Sequence, residues 1–326
     1  MKPLPPPGPI RVGVLGCSDI ACRRFLPALR QSQRAALIAV GSGAPSSARI
    51  RLNDPAIAVL DYDALLKRAD IDLIYLSLPN HLHEEWAIRA LAAGKHVLCE
   101  KPLGLDAATV ARMHEVAADH GRLLYENLMY LHHPQHAAVK KLVASGRLGR
   151  IDSLRATFTI PALPPENFRN DPARGGGAFH DQIRYPLSAA CYFLAGEHYT
   201  FAGRKIYTGE LLTALHGTAR TEKDETFHFS IGFGLPYRSA YEVSGECGSV
   251  KVERAFTTPA DLANEIVITG DGRDESISIP PADHFLLTIE HVCALLDKPE
   301  TFPQIRARNE RLAILADDLF RSCHAG

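Results

Sequence analysis

Residues 11–29 read RVGVLGCSDIACRRFLPAL. An apolar run of strand character enters Gly16, Cys17, Ser18, Asp19, Ile20 and Ala21, and apolar residues at three- and four-residue spacing follow at once. Strand, glycine-led turn and helix in that order are the context of a dinucleotide-binding turn. The first glycine of such a turn makes the tight bend, the second lets backbone approach a pyrophosphate, and the third position lets helix and strand pack closely. Gly16 and Ala21 meet the first and third requirements. Ser18 takes the second place, where a small side chain still fits and its hydroxyl can reach a phosphate oxygen. On these residues alone the competing reading is an ordinary strand-to-helix turn of an unrelated doubly wound protein.

The surrounding sequence repeats the same rhythm. IRVGVLG, ALIAVG, AIAVL, LIYLSL, HVLCE and LLYENLMY read as strands, with DIACRRFLPALRQ, YDALLKR, HEEWAIRALAAG and DAATVARMHEVAADHG as helices between them. Alternation of this kind predicts an α/β fold whose N-terminal part is a doubly wound parallel sheet. From residue 151 the pattern changes: IDSLRATFTI, the runs from about 199 to 279 and the turn TGDGRDE read as an open, mainly antiparallel sheet. A helix over GAFHDQIRYPLSAACYFLAG interrupts it early, and helices near 283–297 and 304–323 follow it. The domains expected are an arm without fixed structure at 1–9 (MKPLPPPGP), a nucleotide-binding domain at 10–130 and a second α/β domain at 131–326, for substrate and oligomer contacts.

Composition narrows the class. With 326 residues, 46% hydrophobic and 22% charged, the chain can bury a sizeable core in two domains. Its formal net charge of −1 and the lack of a long basic run make neither nucleic acid nor an anionic membrane an expected partner. No apolar run approaches the roughly 18 residues that a membrane span requires. Seven scattered cysteines without a CxxC pair point to a reducing compartment, and so to a cytoplasmic protein.

Four stretches carry the expected chemistry. In GKHVLCEKPLGL, residues 94–105, a buried strand runs into Glu100, Lys101 and Pro102. Proline bars the helical region to the residue before it, so Lys101 is held extended at the strand's carboxyl end, where open α/β sheets bind ligands. LSLPNHLHEEW ends the preceding strand and places Leu78, Pro79, Asn80 and His83 beside the same crevice. The second strand ends AVGSGAPSSAR, without the acid that would hold a ribose 2′-hydroxyl. Ser42, Ser46, Ser47 and Arg49 suit a 2′-phosphate better, which favours NADP over NAD, while a flexible surface loop is the plainer reading. RGGGAFHDQIRYP, residues 174–186, sets Asp181 and Tyr185 four apart, on one helix face, behind three glycines. His81 with His83, and His132 with His136, lack further ligands at zinc spacing and are read as polar site or surface histidines, with no metal expected.

Taken together, GCSDIA, LPNHLHEEWAIRALAAGKHVLCEKPL and the GGG followed by Asp181 and Tyr185 resemble the glucose-fructose oxidoreductase/inositol dehydrogenase/MocA family of NAD(P)-dependent oxidoreductases. Within it, SDIACRRFLPAL, ENLMYLHHPQH and FTIPALPPENFRNDPARGGGAF look most like sugar 3-ketoreductases of deoxysugar pathways. The resemblance implies a Rossmann domain, a second domain whose open sheet builds a homo-oligomer, and a nucleotide-linked 3-keto-hexose as the small-molecule partner. It also implies that Lys101 contacts the nicotinamide ribose and substrate, that Tyr185 is the acid, that Asp181 binds a sugar hydroxyl, and that Arg169 reaches toward cofactor or substrate. Hydride reduction of a ketone builds charge on oxygen, so it needs a proton donor and a fixed cation, and an ammonium beside a phenol serves both ends. Glu100 either orients that ammonium or contacts the cofactor. Two residues depart from the family pattern: Ile183 stands where glycine is usual and His180 where an apolar residue is usual. Another sugar or cyclitol dehydrogenase of the family, and a nucleotide-sensing regulator on the same fold, are the alternatives.

Overall fold

The computed structural model describes residues 8–270 and 272–325. The arm read at 1–9 therefore lies, apart from Gly8 and Pro9, outside the described residues, and so does Asp271 of the TGDGRDE turn. Six parallel strands, β1 (Ile10–Leu15), β2 (Ala35–Gly41), β3 (Ala58–Leu60), β4 (Leu73–Leu76), β5 (His96–Glu100) and β6 (Leu124–Asn127), form a sheet in the order β3-β2-β1-β4-β5-β6. Every residue of β4, and every residue of β5 after His96, is buried. That is the burial of central parallel strands covered on both faces. The strand order reverses between β1 and β4, so the turn after β1 and the segment after β4 meet at the topological switch point, where such sheets bind ligands.

The connecting helices differ in detail from the sequence reading. DIACRRFLPALRQ is a π-helical turn at Ala21–Phe25 that runs into the short helix α1 (Leu26–Leu29). Pro27 falls inside this continuous helical run and has no N–H to give the turn before it, which is the π-helical one. The segment read as a loop after β2 is a helix, α2 (Pro45–Leu52), started by a proline. Helices α3 (Tyr62–Leu66), α4 (His83–Ala92) and α5 (Ala107–Asp119) follow. LLYENLMY stops being a strand at Asn127, and Met129–His132 form a 3-10 turn.

The second sheet has nine strands in the order β14-β13-β12-β11-β7-β10-β9-β8-β15. After α6 (Pro134–Ala144) come β7 (Ile151–Ile160), the helices α7 (Ala178–Gln182) and α8 (Arg184–Phe193), then β8 (Tyr199–Thr208), β9 (Leu211–Thr221), β10 (Thr226–Phe233) and β11 (Arg238–Gly245). They are followed by β12 (Gly248–Val252), β13 (Asn264–Gly270), β14 (Arg273–Ile279), α9 (His284–Leu296), α10 (Phe302–Ser322) and β15 (Cys323–Ala325). The sheet is mixed: β7 and β10 pair in parallel, as do β8 and β15, and the other pairings are antiparallel. The single helix expected over GAFHDQIRYPLSAACYFLAG is divided at Ile183, which keeps helical angles (φ −61, ψ −28). On β10, Phe227, Phe229 and Ile231 are buried on one face, while His228 and Ser230 on the other are half-buried. The outer face of β10 is therefore polar.

Two compact units divide the chain. One holds residues up to Leu103, Ala108–Asn127 and Phe285–Asn309, and the other holds Gly104–Ala107, Leu128–His284 and the chain from Glu310. Residues 285–309, read from the sequence as part of the second domain, thus belong to the first unit. Polar contacts explain why: Ser32 donates to Glu290 (2.5 Å), Arg34 pairs with Asp297 (2.5 Å) and Arg308 donates to the Tyr125 hydroxyl (3.3 Å).

Of the histidines of HHPQH, His133 and His136 prove to be core residues, while His132 is half-buried. His136 is wholly buried, with Nδ1 2.9 Å from the Tyr241 hydroxyl and Nε2 3.0 Å from the Ala255 carbonyl. Burial holds it down at about 3, and holds His96, His114 and His133 at about 4. Below the ordinary value of 6.5 the unfolded chain therefore binds protons that the folded chain refuses, so stability is lost as pH falls from 6.5 toward 4. Each such residue contributes roughly 1.4 kcal/mol per pH unit in that window. Urea titrations at pH 7 and pH 5 are expected to show a clearly lower midpoint at pH 5. An unchanged midpoint would contradict the neutral, buried state of these rings.

Candidate active site

In the first unit the site is built around the switch point. Gly16 has φ +105, and a Cβ there would lie 2.8 Å from the Ser77 carbonyl oxygen, so no other residue fits. The Ser77 hydroxyl donates to the Gly16 carbonyl (2.9 Å), tying the turn after β1 to the end of β4. Ser18 Oγ accepts from the Ala21 N–H (3.2 Å), which leaves its own hydroxyl hydrogen to donate elsewhere. Cys17, Ser18 and Ile20 are half-buried and Asp19 is exposed, where Arg23 and Arg51 pair with its carboxylate. At the end of β2 the buried Ser42 Oγ accepts from the Ala44 N–H (3.1 Å). The sequence from Gly41 to Asn53 contains no Asp or Glu. Ser46 and Ser47 are exposed in the first turn of α2, and Arg49 donates to the Val59 carbonyl (3.2 Å).

The end of β5 is more tightly organised than its sequence indicates. Glu100 Oε1 accepts from the Tyr75 hydroxyl on β4 (2.6 Å) and from Asn127 Nδ2 on β6 (2.6 Å). Burial raises the Glu100 pKa, while Tyr75, Asn127 and Lys101 act to lower it. Glu100 is thus held by the neighbouring strands rather than presented to a ligand. Lys101 follows it, half-exposed, and the Lys101–Pro102 peptide bond is cis. Glu126 Oε1 accepts from the Leu103 N–H (3.0 Å) just beyond.

His83 is also relocated by the structure. It is wholly buried, with Nδ1 2.8 Å from the Pro102 carbonyl and Nε2 2.8 Å from the Leu78 carbonyl. Both ring nitrogens are engaged by main chain, so His83 is a clamp between the segments after β4 and β5 and not a group facing a cofactor. Burial, the largest effect, pushes its pKa down against the pull of the two carbonyls and Glu126, so the neutral ring donates to one carbonyl and lies against the other. Leu78, Pro79 and Asn80 lie on the segment so clamped, Leu78 and Asn80 buried.

The second unit supplies Asp181, Arg169 and Tyr185. Asp181 is 8% exposed, and its Oδ1 accepts from Arg169 Nε at 2.8 Å. The glycine run makes this pairing possible: a Cβ on Gly176 would lie 2.5 Å from the Arg169 carbonyl oxygen, and Gly177, at φ +97, donates to that carbonyl at 2.8 Å. Arg169 therefore fixes Asp181. Tyr185 is 3% exposed and packs against Tyr130, Phe158 and Phe256 at ring separations of 5.7, 4.9 and 5.5 Å. Its hydroxyl lies 4.0 Å from Met129 Sδ. Tyr130 donates to Ser188 Oγ (2.7 Å), which in turn bonds the Arg184 carbonyl (2.5 Å) and steadies the first turn of α8. His180 is held at about 4 by burial and by Arg184. The usual glycine position is occupied by Ile183, which is buried.

Tyr75, Asn127, Tyr130 and Arg184 were not singled out in the sequence. Asn127 carried a usable signal, since a polar residue ending a buried parallel strand is the same feature that marks Glu100. Among the described residues no group of three or more His, Cys, Asp or Glu could hold a metal, and no helix is long and apolar enough to cross a membrane.

A parallel sheet of this order with a glycine turn at its switch point, joined in sequence to a unit bearing a paired carboxylate and a buried phenol, defines an NAD(P)-dependent oxidoreductase. The chain belongs to the GFO/IDH/MocA oxidoreductase family: residues 10–128 match its NAD-binding Rossmann fold and residues 136–251 its C-terminal domain. It is 40% identical over 278 residues, 84% of each chain, to the dTDP-3,4-didehydro-2,6-dideoxy-alpha-D-glucose 3-reductase of Saccharopolyspora spinosa. Identity to the enzyme of the same name from Actinomadura kijaniata is 39% over 285 residues, 86% of each chain. A solved 3-ketoreductase from Actinomadura kijaniata, in complex with NADP and TDP-benzene, superposes with a TM-score of 0.92 at 34% identity over 98% of this chain and 99% of that one.

Replacing His83 by alanine leaves a buried carbonyl oxygen without its donor, at a cost of about 1–3 kcal/mol. The His83→Ala variant is expected to have a lowered urea midpoint and weaker NADPH binding. Wild-type stability in that variant would show that the clamp is not needed.

Proposed function

We propose that the protein reduces the 3-keto group of a dTDP-linked deoxyhexose, with NADPH as the cofactor that supplies the hydride. The observation that carries this reading is the wall formed by α7 and α8, where the carboxylate of Asp181, fixed by Arg169, and the phenol of Tyr185 follow one another in adjacent buried turns. The relatives named above support the substrate class. Solved structures of the Actinomadura kijaniata 3-ketoreductase also include one variant with a lysine replaced by alanine and one with a tyrosine replaced by phenylalanine, each with TDP-benzene and NADP.

In this reading Gly16 makes the tight bend, its own N–H already donating to the Gly41 carbonyl (3.0 Å), while Cys17, Ser18, Asp19 and Ile20 cradle the pyrophosphate by main-chain N–H groups, and the Ser18 hydroxyl adds a donor. Leu78, Pro79 and Asn80 flank the cofactor, and Ser42 receives the 2′-phosphate. Lys101 provides the positive charge that stabilises the developing alkoxide, and Tyr185 donates the proton to it. Asp181 accepts a hydrogen bond from a sugar hydroxyl and so orients the ring. His180 is not the acid, since a ring held at about 4 is already deprotonated at neutral pH.

The test is NADPH oxidation with a dTDP-linked 3-keto-deoxyhexose against the same sugar lacking the nucleotide. Turnover of the linked substrate alone is expected; NADPH binding without turnover on either would identify a sensor instead. Tyr185→Phe should bind NADPH nearly normally yet lose about 10²- to 10⁴-fold in turnover, the range for a general acid. Lys101→Ala should lose at least as much, and the double variant far less than the product of the two, because the groups act as a unit. Near wild-type turnover in Tyr185→Phe would remove the phenol from the mechanism. Calorimetry is expected to show NADPH bound more tightly than NADH, with the preference shifted toward NADH in Ser42→Asp; an unchanged ratio would place the 2′-phosphate away from Ser42.

A further inference from the structure

Two thiols meet inside the dinucleotide turn. Cys17 Sγ lies 3.4 Å from Cys22 Sγ, both residues are half-buried, and both are free cysteines. Between them run Ser18, Asp19, Ile20 and Ala21, the backbone assigned above to the pyrophosphate. That backbone is tightly tethered: the Cys22 N–H donates to the Ser18 carbonyl (3.0 Å) and the Ala21 N–H to the Ser18 hydroxyl (3.2 Å). On the other side Gly16 is pressed against the Ser77 carbonyl. Cys17 therefore has little room to move without carrying Ser18 with it.

We propose that Cys17 and Cys22 form a reversible oxidation site whose disulfide closes the cofactor turn. A disulfide requires the sulfurs to approach to about 2.05 Å, so the pair must close by roughly 1.4 Å. Drawing Cys17 toward the helix pulls Ser18 out of the position in which its N–H and hydroxyl serve a phosphate. The oxidant is a low-molecular-weight disulfide, RSSR. One cysteine attacks it as thiolate, forming a mixed disulfide and releasing RS⁻, and the second cysteine then attacks the protein sulfur of that bond and releases another RS⁻. Two electrons pass from the protein sulfurs to RSSR, and the two thiol protons end on the released sulfurs as 2 RSH. Burial and the neighbouring sulfur push the Cys17 thiol up to about 12, which keeps it protonated in the resting protein. Bound cofactor would cover the turn and protect the pair.

The inference rests on the pyrophosphate reading of residues 16–20, and two separate measurements keep the two apart. The protein is incubated with glutathione disulfide, with and without NADPH, and followed by intact mass, peptide mapping and NADPH fluorescence titration. Expected are a loss of two hydrogens with a Cys17–Cys22 cross-link, at least about tenfold weaker NADPH binding, full recovery with dithiothreitol, and slower cross-linking when NADPH is present. Cys22→Ser should form no cross-link and keep its affinity through the treatment. Failure of the cross-link to form, or a cross-linked protein that binds NADPH as tightly as the reduced one, would overturn the proposal. If the reduced protein did not bind NADPH, the pyrophosphate reading would fall, and with it the proposed closure, even if a cross-link formed.

Discussion

The carboxylate of Glu100 is the constraint on which the first unit's site depends. It sits at the end of a strand buried on both faces, and it receives hydrogen bonds from Tyr75 on one neighbouring strand and Asn127 on the other. A buried carboxylate without donors would cost several kcal/mol, so these bonds are what allow it to be there. In satisfying it, they fix three strand ends relative to one another, and Tyr75 is further held by stacking on Phe25 at 3.6 Å. Lys101 emerges from this fixed point. On its far side the chain is caught again, because His83 holds the Pro102 carbonyl and Glu126 the Leu103 N–H. An ammonium on a flexible stem is a poor positional device, but one whose backbone is held on both sides has its origin settled before any ligand arrives.

The second unit solves the same problem with different means. There is no strand end to anchor Asp181, so the anchor is Arg169, delivered by a tight turn against which only glycines can pack. The ion pair is mostly buried on the Asp181 side, with 11% of that side chain exposed, and a carboxylate so paired keeps one direction. Tyr185 is placed by packing instead. Its ring fits among Tyr130, Phe158 and Phe256, edge-on to the first two, which restricts the ring and leaves the hydroxyl as its polar end.

What could be read from the sequence follows from this division of labour. Strands β1, β4 and β5 were legible because buried parallel strands are uninterrupted apolar runs, and Gly16, Lys101, Asp181 and Tyr185 stood out because their neighbours constrain the backbone. The helix α2 was not legible: its sequence has no apolar stripe, only Ala48 buried, so a periodicity argument finds nothing in it. His83 and His136 were misplaced for the opposite reason. A histidine that bonds main chain in a core looks, in sequence, the same as one that faces a site. The return of residues 285–309 to the first unit was hidden because it depends on single polar contacts with Ser32, Arg34 and Tyr125.

The end of β2 shows how a missed element alters a functional argument. Read as a loop, GSGAPSSAR offers hydroxyls and a cation in no fixed arrangement. As the start of a helix it offers more, because Ser46 and Ser47 fall in the first turn of α2, beside main-chain N–H groups that no intrahelical carbonyl can satisfy. The partial positive charge of a helix start favours an anion. Ser42 is already oriented by the Ala44 N–H just ahead of it. An aspartate at such a place would be suited to a neutral ribose, whereas these serines leave the positive field of the helix start open to an anion.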